Sequence, residues 1–294
     1  MGNLLKAEFR KILTTKMWWA LLIPAIGLAL GWAWLAAMFF TDVGDAIENA
    51  LNATGISDAE LSLSSLALTR AMNFATLFPM VFGALALSSE LSRKTITTSF
   101  LTASSRASVL GAKAIVYTVW GLVYGVVVAG AASLGIVFGT TGKLPEAGDW
   151  LIILLTGILS CLLWTLLGMG VGALLGSPVA ALLVLLLYAG LVGPIAELLI
   201  TGSNPDLQLA GIMPNGSANG LTGSTAAQLL FDQIQAIVGT TPNADEREQF
   251  DFIARTGAGA PGAFAAWISG LIFAAWTAVF FVGGLLRNNN RDIT

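Results

Sequence analysis

The sequence predicts an all-α, polytopic membrane protein that crosses the bilayer six times, and three observations carry that prediction. Of 294 residues, 56% are hydrophobic and only 11% charged, whereas soluble globular chains carry about 25% charged residues. Mean hydropathy is +0.80. The apolar residues gather in six long runs, each sufficient for the roughly 20 residues that a helix needs to cross hydrocarbon. Barrel strands cross in about 9–11 residues and alternate polar with apolar positions, a pattern these runs lack. The third observation is the uneven division of charge described below. The chain reads as one transmembrane domain over residues 1–294.

Residues 1–16 open the chain with a predicted helix over Asn3–Lys16. Leu5, Phe9, Ile12 and Leu13 fall on one side at helical spacing, with Lys6, Arg10 and Lys11 facing away. Such a helix lies on anionic lipid, docks onto a protein, or only anchors the topology. The first span is predicted at Met17–Phe40. Its basic leader is that of a signal peptide, but the apolar run exceeds the usual h-region of about 7–15 residues and no small-x-small site follows. The second span is predicted at Ser65–Leu87, with a kink at Pro79.

The connection 88–108 combines a charged stretch (Glu90, Arg93, Lys94), a Thr/Ser-rich turn of helix from Thr95, and a basic approach to the next span at Arg106. It is either a compact surface or a solvated connector. The third span, Val109–Phe138, carries Lys113 near its start, expected at the headgroups or in the cytosol. The fourth covers Trp150–Leu175, and the fifth Pro178–Ile200 with a kink at Gly193-Pro194. The sixth covers Ala263–Leu286. Glycine pairs spaced by four residues allow close helix approach, within the chain or between copies. They are Gly27 and Gly31, Gly121 and Gly125, Gly135 and Gly139, and the run Gly168, Gly172 and Gly176.

Residues 201–262 separate the fifth and sixth spans. The first part reads as Gly/Asn/Ser/Pro-rich coil, followed by two short amphipathic helices. Ala226–Val238 presents Leu229, Leu230, Ile234 and Ile237, and Asn243–Arg255 presents Phe250, Phe252 and Ile253. So long a connection in a tight protein is functional or disordered, and the helical pattern argues for order. The segment is read as an extracellular cap or gate, with a passive lid as the competing account. Asn52-Ala53-Thr54 and Asn215-Gly216-Ser217 match glycosylation sequons, which a bacterial chain leaves unmodified.

Orientation follows from Lys and Arg near the span ends. With both termini inside, the inner segments hold ten basic residues: Lys6, Arg10, Lys11, Lys16, Arg93, Lys94, Arg106, Lys113, Arg287 and Arg291. Three acids, Glu8, Glu90 and Asp292, reduce this to +7. The outer side holds four basic residues (Arg70, Lys143, Arg247, Arg255) and fourteen acids, or −10. The mirror arrangement would put nearly all the cationic charge outside. Trp18 and Trp19 mark the inner end of the first span, and Trp150 the outer end of the fourth.

Much chemistry is excluded. The chain has no histidine and one cysteine, Cys161, so it offers neither a Ser-His couple nor a Cys-rich or His metal site. No phosphate-binding loop of the form G-x-x-x-x-G-K-[ST] occurs: Gly142-Lys143 is followed by Leu144. The chain by itself is therefore expected to be no enzyme and to hold no cofactor or metal, and nothing points to a nucleic-acid partner. Arg70, Asn73 and Glu197 are the polar groups placed inside spans. Arg70 and Glu197 form either an outer ion pair that closes a pathway or two side chains that reach the interface separately.

The leader Leu4-Leu5-Lys6-Ala7-Glu8-Phe9-Arg10-Lys11, followed by Trp18-Trp19, resembles the start of bacterial type 2 ABC transporter permeases. The spacing Glu90, Arg93, Thr95-Ile96, Leu101, Ser105-Arg106, Val109-Leu110 and Lys113 is similar to that family's connection between spans two and three. The resemblance covers essentially the whole chain. It departs from the family at Lys94, where a glycine is common, and at Ala103 and Ser104, where a proline often precedes the Ser-Arg pair. The resemblance implies a permease subunit of an ATP-driven exporter in the bacterial cytoplasmic membrane, paired with a second permease copy or a homologous one. A separate ABC ATPase subunit would bind ATP and Mg. The loop would be a coupling helix, with Glu90, Arg93, Lys94, Thr95 and Arg106 at the ATPase. The leader, with Lys6, Glu8, Phe9, Arg10 and Lys11, would be the connecting helix beside it. An amphiphilic or hydrophobic substrate would move by alternating access between spans two and five, lined by Asn73, Phe74, Leu77, Phe78, Phe82, Leu187, Tyr188 and Leu191, with Arg70 and Glu197 as an outer gate. The alternative is a membrane scaffold or sensory subunit that moves nothing.

Overall fold

A computed structural model describes residues 2–53, 62–103, 105–141, 144–203, 208–238 and 244–290. Thr54, Ser104, Lys143, Asn243, Arg291 and Asp292, which figure in the readings above, lie outside the described residues. The structure is 90% helical, with no strand among the described residues. It contains six helices long and apolar enough to span a membrane, as predicted.

Helix α1 (Gly2–Thr14) precedes span 1, α2 (Met17–Ala53). Span 2 is made of α3 (Ser64–Ala75) and α4 (Leu77–Ser92). A short helix, α5 (Ile96–Thr102), leads to span 3, α6 (Arg106–Gly139), and then to span 4, α7 (Ala147–Leu175). Span 5 joins α8 (Pro178–Leu187) to α9 (Gly193–Ser203) through a π turn at Tyr188–Val192. A 3-10 turn (Leu209–Ile212), α10 (Pro214–Val238) and α11 (Ala244–Ala258) lead to span 6, α12 (Ala266–Asn290).

Span 4 is the axis of the bundle, packed against α4, α6, α10 and α12. Between apolar helices in lipid there is no hydrophobic drive to associate, so close van der Waals contact over small residues supplies the attraction. The glycines provide it. A Cβ on Gly168 would lie 2.2 Å from the Met80 carbonyl oxygen, and one on Gly172 2.1 Å from that of Ala84. Spans 2 and 4 thus run backbone against backbone. Gly135 and Gly139 bring span 3 equally close to Leu30 and Trp34 of span 1, and Gly125 brings it to Ile158 of span 4. The predicted spacings therefore serve packing within the chain at these positions, while Gly27 and Gly31 face open space. Phe82 sits among Tyr117, Trp120 and Tyr124 at centroid distances of 4.9, 5.9 and 5.2 Å. The Tyr124 hydroxyl donates to the Trp18 carbonyl at 2.7 Å, which fixes spans 1, 2 and 3 together.

Several boundaries differ from prediction for physical reasons. Span 1 continues past Phe40 to Ala53 because Asp42, Asp45 and Glu48 end the apolar run without breaking the helix; hydropathy and helix propensity are separate signals. Span 2 is interrupted at Thr76, three residues before Pro79, whose ring nitrogen cannot bond the Ala75 carbonyl. Span 5 accommodates Pro194 by widening: the Gly193 N–H bonds back to the Tyr188 carbonyl across a π turn. The largest departure is α10. Its first half, Pro214 to Gly223, was predicted as coil, yet it is helical and buried against α3, α7 and α12. Gly216 and Gly220 let it in, since Cβ atoms there would meet the Ala210 carbonyl oxygen at 2.0 Å and the Ser269 hydroxyl at 2.5 Å. Tertiary packing overrides a poor local helix propensity.

Candidate functional site

Two regions gather the chain's polar side chains, one at each end of the bundle. At the end carrying α1 and α5, the start of α6 brings Lys113 into the protein interior, leaving its side chain 1% exposed. Its ammonium donates to Glu8 Oε2 of α1 at 2.7 Å and to Glu90 Oε1 of α4 at 2.8 Å. Lys11 of α1 also donates to Glu90 Oε1. Two cations and two carboxylates alternate, so the cluster is formally neutral, which makes its burial tolerable. Lys11, predicted to face away from the packed side of α1, instead turns toward it.

After Glu90 the chain reverses in a tight turn. Lys94 adopts φ 56°, the left-handed region that favours glycine, and the Thr95 N–H bonds back to the Glu90 carbonyl at 3.0 Å. Ile96 is buried and seats α5 on the bundle, while Leu101 is 82% exposed. Ser105 caps α6 by accepting from the Ser108 N–H at 3.1 Å. The Arg106 guanidinium lies 5.5 Å from the Phe100 ring centroid and donates to the Asn289 carbonyl at 3.3 Å. Arg93, Lys94 and Thr95 are exposed. Glu90, predicted among the surface contacts, is buried at the root of the turn, where it holds the loop to α1 and α6.

Toward the other end, spans 2 and 5, with α10 and the end of α11, line a partly open cavity of about 420 Å³. Its polar lining includes Arg70, Asn73, Glu197, Asn215 and Asn219; its apolar lining includes Phe74, Leu77, Met80, Trp164, Pro194 and Leu198. Arg70 Nε and Nη2 donate to the carbonyls of Gly257 and Thr256 at 2.9 and 2.6 Å. These are last-turn carbonyls of α11, so a cation sits at a helix C-terminus. Gly259, at φ 80°, permits this: a Cβ there would lie 2.7 Å from Arg70 Nη1. Glu197 accepts from Asn215 Nδ2 at 2.7 Å and from Asn219 Nδ2 at 3.4 Å, beside the N-terminus of α10. The predicted Arg70 and Glu197 therefore share the cavity but do not pair within 4.0 Å; each is held by neutral groups of the α10–α11 segment. Asn73 Oδ1 accepts from Thr222 Oγ1 at 2.8 Å, and its Nδ2 is buried with no partner.

Of the other predicted pathway residues, Asn73, Phe74 and Leu77 line this cavity. Phe78 packs on the core, and Phe82 is sealed in the aromatic cluster, because both project from the far side of α4. Leu187 and Leu191 are each 54% exposed on the outer surface of span 5. Tyr188 lines a separate apolar cavity of about 670 Å³ with Leu167, Trp276 and Phe280. Sequence reasoning missed Trp164, Asn215, Asn219 and Thr256. The signal available was the pair Asn215 and Asn219, four residues apart and so on one helix face, had the segment been read as helix.

Among the described residues no group of three or more His, Cys, Asp or Glu could hold a metal ion. No protein-family model matches the chain, and no curated protein matches it.

Proposed function

We propose that the chain is the permease subunit of an ATP-driven exporter of the type 2 ABC kind, set in a bacterial cytoplasmic membrane with the α1 and α5 end facing the cytoplasm. The observation that carries this reading is the form of the 88–108 connection. It is a short helix seated on the bundle through Ile96, with an exposed leucine on its outer side, basic residues beside it, and a root fixed by buried charge to both α1 and span 3. An exposed apolar side chain on a rigid, basic support suits insertion into a cleft of a partner protein, where the charges set register and the apolar contact supplies affinity. The partner would bind ATP and Mg and close as a dimer on two permease chains. Its push on α5 would reach span 2 through Glu90, and α1 through Lys11 and Glu8. The cavity between spans 2 and 5 is the substrate chamber in this reading, and α10 with α11 covers its extracellular exit. The Thr76 interruption and the π turn at Tyr188–Val192 flank the chamber and are the places where spans 2 and 5 would bend.

Copurification tests the proposal. The tagged chain coexpressed with a candidate ABC ATPase from the same genome is expected to yield a stoichiometric complex, and Leu101→Asp is expected to abolish the complex while leaving the permease itself folded. A monodisperse chain that retains no ATPase would instead favour a scaffold or sensor.

A further inference from the structure

The cavity between spans 2 and 5 contains a cation and an anion that the fold keeps apart. Opposite charges in a weakly polar enclosure attract strongly, and a merely structural pair would be expected to close into a direct contact. Here both are anchored from behind. Arg70 is drawn to the α11 carbonyls and pressed against Gly259, and Glu197 is held by Asn215 and Asn219. Neither charge has a counter-charge within ion-pair distance, although burying an unpaired charge is costly. Asn73, about one turn along span 2 from Arg70, lines the same cavity; its Oδ1 accepts from Thr222, and its buried Nδ2 has no acceptor. The remaining wall is apolar and aromatic: Phe74, Leu77, Met80 and Trp164.

A preorganised dipole with a spare amide donor on the cationic side is complementary to a ligand carrying its own two charges. We propose that this cavity binds a zwitterion, with the anionic group at Arg70 and Asn73 Nδ2, the cationic group at Glu197, and any apolar portion against Phe74, Leu77, Met80 and Trp164. The volume of about 420 Å³ falls within the range of about 300–1,000 Å³ usual for small-molecule sites, enough for a zwitterionic headgroup or a small free zwitterion. This deepens the permease proposal and rests on it only for the view that the bound molecule is transported.

The test uses the full chain in an uncharged maltoside detergent, with binding read from tryptophan fluorescence and Trp164→Phe as the control for the cavity signal. The probes are dodecylphosphocholine, dodecyl phosphate, dodecyltrimethylammonium and the tail-free glycerophosphocholine. The zwitterionic alkyl probe is expected to bind about tenfold or more tightly than either singly charged probe. Glu197→Gln, which keeps an acceptor for Asn215, is expected to erase its advantage over dodecyl phosphate, and Arg70→Gln its advantage over dodecyltrimethylammonium. Tail-free glycerophosphocholine binding as tightly as its alkyl analogue would identify a free solute as the zwitterion, and weaker binding an amphiphile. Equal affinity of the wild-type chain for all three alkyl probes would overturn the proposal, whatever the variants do. That outcome alongside an intact ATPase complex would remove the substrate class and leave the permease reading standing.

Discussion

Lys113 is the residue on which the α1 and α5 end depends most. It is 1% exposed and is the only group joining Glu8 to Glu90 among the bonds described. Removing one partner of a buried ionic cluster leaves an uncompensated charge and costs about 3–5 kcal/mol. Lys113→Met is therefore expected to lower the melting temperature of the detergent-solubilised chain sharply, and Glu90→Gln combined with Lys113→Met to recover part of the loss. A melting temperature unchanged by Lys113→Met would mean that the cluster does not hold α1 in place. Lys94 makes the opposite prediction. A lysine at φ 56° is strained by about 1 kcal/mol relative to glycine, so Lys94→Gly is expected to raise stability by about 0.5–1 kcal/mol in the same measurement, and Lys94→Val to lower it. The glycine that the resemblance leads one to expect here has a conformational reason in this turn.

At the scale of the element, the contacts between helices are set by what glycine leaves out. Gly168→Ala would drive a Cβ to 2.2 Å from the Met80 carbonyl oxygen, and overpacking of this kind costs about 1–3 kcal/mol. Within α2, Gly27→Ala meets nothing within 4 Å and is expected to raise stability by up to about 1 kcal/mol through helix propensity. Thermal unfolding of the two variants checks the contrast, and equal stability would mean that spans 2 and 4 do not pack backbone on backbone. The same physics explains which elements the sequence disclosed. The six spans announced themselves because length and hydropathy are properties of the local sequence. The first half of α10 did not, since Pro214, Asn215, Gly216, Asn219, Gly220 and Gly223 have coil composition and become helical only where α3, α7 and α12 enclose them. That omission hid Asn215 and Asn219, and with them the partners of Glu197. Arg70 and Asn73 were legible as rare polar groups in a span. That Arg70 would cap α11 rather than meet Glu197 was not, because it depends on where a segment nearly 190 residues away folds back.

For the whole molecule, the division of charge, +7 on one side and −10 on the other in the orientation proposed, becomes a spatial prediction. Leu101 on α5 and Ile253 on α11 are 82% and 63% exposed, and the native thiol Cys161 is buried and expected to stay silent toward a membrane-impermeant maleimide. Leu101→Cys is expected to label only from the cytoplasmic side, in inverted vesicles, and Ile253→Cys only from outside in intact cells. The reverse pattern would turn the molecule over and remove α5 from the reach of any cytoplasmic ATPase.

In the proposed function the chain is the membrane half of an ATP-driven machine, engaged through α5. The most direct measurement is the ATPase activity of the copurified partner in lipid vesicles, with the wild-type chain and with Leu101→Asp. The account predicts activity that depends on the wild-type chain, rises with transported substrate, and loses that response in Leu101→Asp. Activity indifferent to the presence of the chain and to Leu101 would contradict it.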